Sequence, residues 1–150
     1  MMTICQRYAM DQMEAEDLLM ESFVKIYRFI HQYKSEGSFE GWMRRIVVNT
    51  ALKHIKKKKI RFEEVLPEQM GEAINAGAYI HLEEKEILAL VKQLPNGYRI
   101  VFNLFAIEGF SHDEIADLLG IGAGTSRSQL AKARKMLQQQ IQELHKTVAA

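Results

Sequence analysis

The stretch that decides the fold is Ser111 to Leu137, SHDEIADLLGIGAGTSRSQLAKARKML. Ser111 followed three residues later by Glu114 is a capping box, in which a hydroxyl and a carboxylate satisfy the first free N–H groups of a helix. Behind it Ile115, Ala116, Leu118 and Leu119 recur at helical spacing, and Gly120 stands where a helix closes on a left-handed residue. A last helix then starts near Ala123. Two helices joined by Gly120, Ile121 and Gly122, with small Ala116 permitting close approach, read as a helix-turn-helix whose second member enters the major groove. On a helical wheel Ser126, Leu130, Ala133 and Leu137 share the inner face. Ser128, Ala131, Lys132 and Lys135 are left outward, flanked by Arg127 and Arg134. Thr125, Arg127, Ser128 and Gln129 supply the room and the donors that base edges and phosphates require. The plainer alternative is an antiparallel helix pair with a charged outer face.

Upstream of this motif, Leu82 to Leu94 is helical and is stopped by Pro95 and Asn96-Gly97, and Tyr98 to Ile107 forms a further short helix ending at Gly109. Residues 82–146 therefore predict a four-helix domain. From about Ile60 to His81 the apolar period is lost, Pro67, Gly71 and Gly77 appear and the chain turns acidic, so 61–81 is a linker. In front of it, Asp11 and Glu14 form another capping box. It opens a helix whose Ala15, Leu18, Leu19, Phe23, Ile26, Tyr27 and Ile30 make one stripe, ending near Tyr33. After the polar turn Lys34 to Gly37, Ser38 caps a helix with Phe39, Trp42, Met43, Ile46 and Val47 on its buried side. The expected class is all-α, with two small helical domains, 1–60 and 82–146.

Composition narrows the function. The chain has 150 residues, 47% of them hydrophobic, a net charge of +1 and one cysteine. That excludes a disordered polymer and a disulfide scaffold, and Cys5 alone suits a reducing cytoplasm. No apolar run approaches the roughly 20 residues that a membrane span needs. The opening MMTICQRYAMDQME turns polar too early for a secretory signal, so a cytoplasmic protein is expected. An enzyme lacks the inventory: Cys5 has no nearby helper, His31, His54, His81, His112 and His145 are scattered without metal spacing, and no glycine-rich phosphate loop follows a strand. No cofactor, metal or small-molecule substrate is expected.

The balanced total hides an uneven distribution. Residues 1–61 carry a net +5, 62–82 a net −4 and 83–150 a net of zero. Between Gly41 and Arg61 stand eight bases (Arg44, Arg45, Lys53, Lys56, Lys57, Lys58, Lys59 and Arg61) and no acid. A second acid-free stretch, Leu118 to Gln142, holds Arg127, Lys132, Arg134 and Lys135. One such run is an ordinary solvated face; two in separate segments favour a polyanion. Phe39 and Trp42 precede the first run, and rings beside cations are what unpaired bases and their backbone require. Trp42 also shares a stripe with Ile46, which would make it core.

AEDLLMESFVKIYRF (15–29), GSFEGWMRRIVVNTALKHIKK (37–57) and LPNGYRIVFNLFAIEGFSHDEIADLLGIGAGTSRSQLAKARKML (94–137) resemble, in the same order, the bacterial sigma factors of the small two-domain extracytoplasmic-function (ECF) group. The resemblance covers nearly everything outside the linker. It implies a factor that binds core RNA polymerase, through the β′ clamp helices and the β flap, and directs it to promoters. It further implies an anti-sigma partner. Position by position it assigns Glu16, Asp17, Leu18, Glu21, Phe23 and Tyr27 to polymerase docking. The loop from Tyr33 to Phe39 corresponds to the family's specificity loop, which takes a flipped base. Lys34, Ser38, Phe39, Trp42, Arg45, Asn49 and Lys53 would serve the minus-ten element as it opens, and Thr125, Arg127, Ser128, Gln129, Lys132 and Lys135 the minus-thirty-five element as duplex. Asn49 either meets a base edge or holds the loop closed. Against the family pattern the first helix of the promoter-melting domain, which would precede the segment Ile4 to Ala9, is missing or cut short. Ser126 and Gly122 stand where valine and a capping serine are usual. A stand-alone helix-turn-helix regulator, its first domain used for dimerisation, is the competing class; it has no use for the acids of 16–21 or for an aromatic and basic helix.

Overall fold

The computed structural model describes residues 1–58 and 84–148. The segment assigned to the linker, 61–81, and the bases Lys59 and Arg61 lie outside the described residues. The chain divides into two units, Met1–Ile60 and Arg61–Ala150. Among the described residues all regular structure is helical, in agreement with the all-α expectation.

Unit 1 holds α1 (Met2–Tyr8), α2 (Gln12–Phe29) and α3 (Phe39–Lys57), with a 3-10 turn at Ile30–Gln32. The residues ahead of Ala9 form the seven-residue α1. Asp11 caps α2 by accepting from the Glu14 N–H at 2.8 Å. Glu14 returns the bond one residue earlier than a capping box would, to the Met10 N–H at 2.8 Å. Ser38 caps α3 as expected, through the Gly41 N–H. The three helices pack against one another around Ile4, Cys5 and Tyr8, Ala15, Leu18 and Ile26, and Val47, Val48, Ala51, Leu52 and Ile55.

Two sequence readings need correction. The buried stripe of α2 is Ala15, Leu18, Ser22 and Ile26; Phe23, Tyr27 and Ile30 are exposed. Small Ala15 and Ser22 at the contact let the helices close on a narrow line, and Ser22 satisfies its buried hydroxyl on the Leu18 carbonyl. On α3 the buried side begins only at Val47, while Phe39 is exposed and Trp42, Met43 and Ile46 are half-buried. The Phe39 and Trp42 rings pack on each other and on Tyr33 instead of entering the core.

Unit 2 contains α4 (Glu84–Lys92), α5 (Asn96–Phe102), which runs on through a π-turn at Asn103–Ile107, α6 (His112–Leu119) and α7 (Ala123–Val148). Leu90, Val91 and Leu94 meet Ala133 and Leu137, with Tyr98, Phe102, Met136 and Ile141 at the margin. The helix-turn-helix has its expected joints. Ser111 and Glu114 form a complete capping box, and Gly120 is left-handed (φ +70°) with its N–H on the Ala116 carbonyl at 2.8 Å. A further joint links the two helices: His112 Nδ1 lies 2.9 Å from Ser126 Oγ on α7, and its ring stacks on Phe105 at 4.6 Å.

Glu14 ties the ends of unit 1 together. Its carboxylate accepts from Lys58 Nζ at 2.6 Å and lies 3.2 Å from His54 Nε2, joining the start of α2 to the end of α3. Burial alone would raise this carboxyl, but the Lys58 and Met10 hydrogen bonds and the nearby positive charges outweigh it and hold the group below its ordinary value of 4.5. The stabilisation is therefore complete above that value and is lost as pH falls through the lower folded one. Glu14→Gln should cost about 1–2 kcal/mol at neutral pH, and parent and variant should converge on acidification. The fluorescence of Trp42, the one tryptophan of the chain, reports unit 1 melting and checks this. In unit 2, burial first and then the charges of Arg127 and Arg134 hold the His112 imidazole below its ordinary 6.5. The neutral ring belongs to the folded state, so stability is complete above 6.5 and declines as pH falls toward the folded value. His112→Asn should be less stable than the parent at neutral pH and lack this decline, read as the second transition in circular-dichroism melts.

Candidate nucleic-acid interface

On α3, Trp42, Arg45, Asn49 and Lys53 fall on one side of the helix at i, i+3, i+7 and i+11, opposite the stripe that enters the core. Arg45, Asn49 and Lys53 are exposed and Trp42 is half-buried. At the N-terminal end of this face three rings gather. Phe39 and Trp42 lie nearly parallel, 5.7 Å apart at 15°, and Tyr33 sits 5.1 Å from Phe39 and 5.6 Å from Trp42. Lys34 and Ser38 are exposed in the adjoining loop. The seven minus-ten residues assigned by resemblance are thus brought together at one end and along one face of α3. Of the two readings of Asn49, the loop-closing amide has no support: its side chain is exposed, with no hydrogen bond to a described residue. Lys56, Lys57 and Lys58 are exposed at the far end. Such a surface offers a π-face for an unpaired base at one end and cations for its backbone along the rest.

On α2, Glu16, Asp17 and Glu21 are exposed, as assigned, with Glu21 paired to Lys25 at 2.7 Å. Phe23 is 46% and Tyr27 81% exposed, and Met13, Met20 and Val24 join them in an apolar ridge turned away from the core. Leu18 does not belong to it. At 2% exposure it is a core residue, because its place on the wheel falls in the Ala15, Ser22 and Ile26 stripe. An exposed apolar ridge of this extent is the kind of surface that a partner protein covers.

In unit 2, α5 and α6 both pack on α7. The buried side of α7 takes in Ser126, Leu130, Ala133 and Leu137, the face read off the wheel, widened at one edge by Gln129, and Ser128 is enclosed as well. Two assigned duplex contacts are corrected as a result. Gln129 is 1% and Ser128 5% exposed, and the Ser128 hydroxyl donates to the Thr125 carbonyl at 3.1 Å. The exposed cations are Arg127, Arg134 and Lys135, with Thr125 and Lys132 half-buried. Lys132 sits over the Tyr98 ring at 5.7 Å and Arg134 over the Phe105 ring at 5.8 Å. Sequence reasoning passed over Tyr33, Tyr98, Phe105 and His112 as site-forming groups. Their partners lie on other elements or across a loop, and no pattern in the chain marks them. Among the described residues no three His, Cys, Asp or Glu side chains gather as metal ligands, and no helix is long and apolar enough to cross a membrane.

Comparison with known proteins agrees with this division. Residues 1–60 match the family profile described as Sigma-70 region 2, and residues 84–137 that described as Sigma-70, region 4. The chain is 33% identical over 141 residues to the ECF RNA polymerase sigma factor SigE of Mycolicibacterium smegmatis, a match covering 89% of this chain and 54% of that protein. It is 31% identical over 142 residues to the ECF RNA polymerase sigma-E factor of Haemophilus influenzae, covering 85% and 75%. The chain thus spans about half the length of the first relative and three-quarters of the second. Among solved structures, the sigma factor RpoE from Bartonella quintana, crystallised with the anti-sigma factor NepR, shares the fold with a TM-score of 0.56 at 20% identity, over 94% of this chain and 89% of that one. With a helix-turn-helix unit, an aromatic and basic helix in a separate unit, and relatives matched across both, the chain belongs to the ECF family of RNA polymerase sigma factors.

Proposed function

We propose that the chain binds core RNA polymerase, directs it to promoters and supports strand opening there, with no catalysis, cofactor or small-molecule substrate of its own. The observation that carries this reading is the α3 face, where stacked Phe39 and Trp42 run into exposed Arg45, Asn49 and Lys53 in a unit apart from the helix-turn-helix. A protein that only held duplex would need no surface of that kind, since rings offer stacking to bases that have left the helix.

The division of labour follows from the surfaces. Arg127, Arg134 and Lys135, with Thr125 and Lys132 beside them, approach the minus-thirty-five duplex; Ser128 and Gln129 hold α7 in place and do not read bases. Lys34, Ser38, Phe39, Trp42, Arg45, Asn49 and Lys53 receive the minus-ten strand. The α2 ridge of Met13, Met20, Phe23, Val24 and Tyr27, edged by Glu16, Asp17 and Glu21, docks on the β′ clamp helices, and unit 2 meets the β flap. An anti-sigma protein, of the kind that holds the Bartonella relative, competes for these surfaces. The site of action is the cytoplasm, where the polymerase works.

Mapping run-off starts with core polymerase and genomic DNA tests the proposal: discrete starts that appear only with this chain support it, whereas duplex binding without starts points to a stand-alone regulator. Asp17→Lys combined with Tyr27→Ala should abolish capture of core polymerase and leave duplex binding by α7 intact, because charge reversal costs several kcal/mol at a complementary interface and Tyr27 removes an apolar anchor. Asn49→Ala should allow the closed complex but slow opening, with a base-specific change at one minus-ten position. Permanganate footprints on duplex and pre-melted templates check it; equal failure on both, with a lowered melting midpoint of unit 1, would make Asn49 structural.

A further inference from the structure

The loop between Tyr33 and α3 is under conformational constraint. Within five residues it contains Ser35 at φ +58° and Gly37 at φ +82°. Glycine adopts this region freely, but a serine stays there only if its surroundings hold it. The side chain that spans the loop is Tyr33. Its hydroxyl donates to the Gly37 carbonyl at 2.8 Å, while its ring contacts both Phe39 and Trp42. Ser38, next in the chain, accepts from Gly41 and starts α3. Loop entrance, loop exit and aromatic platform are therefore joined through one phenol.

Resting on the reading of α3 as a single-strand platform, we infer that Tyr33 is a positioning residue for base capture. It clasps Lys34–Ser38 in one conformation beside the exposed Phe39 ring. An entering base then meets a preformed wall and does not have to order the loop itself. The two halves of the side chain act separately: the hydroxyl fixes the loop and the ring fixes the tilt of Phe39 and Trp42. The loop is exposed and Tyr33 is not among the core residues of unit 1, so loss of the clasp changes selectivity before it changes folding.

The test uses the full chain with core polymerase on a promoter mapped by run-off, with each minus-ten base replaced in turn and opening followed by permanganate. The parent should discriminate strongly at one position. Tyr33→Phe keeps the ring and loses the hydroxyl; it should reduce that discrimination by roughly three- to tenfold, the worth of one hydrogen bond, with start sites, closed-complex affinity and Trp42 emission unchanged. Tyr33→Leu should lose it further and shift Trp42 emission. Full discrimination retained by Tyr33→Phe overturns the clasp while leaving the platform reading intact. Equal slowing on every base, or a parent that discriminates nowhere, also overturns it, the latter taking the platform reading with it.

Discussion

The narrowness of the buried stripe on α2 decides what that helix presents to other molecules. Ala15 and Ser22 are small, so α2 meets its neighbours along a thin line that Leu18 and Ile26 complete. The opposite side is then free to be apolar as well, and Met13, Met20, Phe23, Val24 and Tyr27 occupy it. Burial of one such side chain is worth about 1.5–3 kcal/mol, which the isolated unit forgoes at each of these positions. Only a partner surface recovers it. On α3 the buried sector is broader, yet Trp42, Arg45, Asn49 and Lys53 still fall on the side away from the core, and the groups there are aromatic, amide and cationic.

Unit 2 solves the opposite problem. Its last helix is flanked by α5 and α6, so a broad sector of α7 is covered and polar side chains are enclosed with the apolar ones. Ser126 meets His112, and Ser128 turns back on its own helix. The His112–Ser126 contact fixes the angle between α6 and α7 more sharply than apolar packing alone, since a hydrogen bond tolerates little displacement. A reading helix needs that rigidity. Burial first, and then the charges of Arg127 and Arg134, favour the neutral imidazole of His112 at this joint.

What the sequence disclosed was what local chemistry determines. The Ser111 and Glu114 box, the left-handed Gly120 and the Ser38 cap each depend on residues within one turn of chain, and each appears as read. The helical periods were also legible, but periodicity gives the direction of a buried face and says little about its width. The α2 stripe rightly held Leu18, which only the resemblance made a docking residue, but it was drawn too wide and so placed Phe23 and Tyr27 with core residues. The α7 stripe was drawn in the right direction but too narrow, which left Ser128 and Gln129 as readers of DNA. Width depends on how many helices lean on the face, a property of tertiary packing. Pairs such as Tyr33 with Gly37 and His112 with Ser126 needed the fold, because no pattern in the chain marks a phenol that will reach across a loop or an imidazole that will bridge two helices.

The cations of α7 are not equivalent once their surroundings are known. Lys132 and Arg134 lie over the Tyr98 and Phe105 rings, so part of their freedom is already spent in the free protein. Arg127 and Lys135 stand exposed on the outer side. Every cation near phosphate releases counterions and adds to a salt-dependent attraction that any duplex satisfies. A side chain held in place loses less entropy on contact, so the ring-supported pair favours a fixed register over mere attraction. The same reasoning separates α3 from its own lysine-rich end. Lys56, Lys57 and Lys58 add attraction without geometry, apart from Lys58, which Glu14 claims for the fold. On α3 the groups held in place are the three rings at its N-terminal end, which pack on one another.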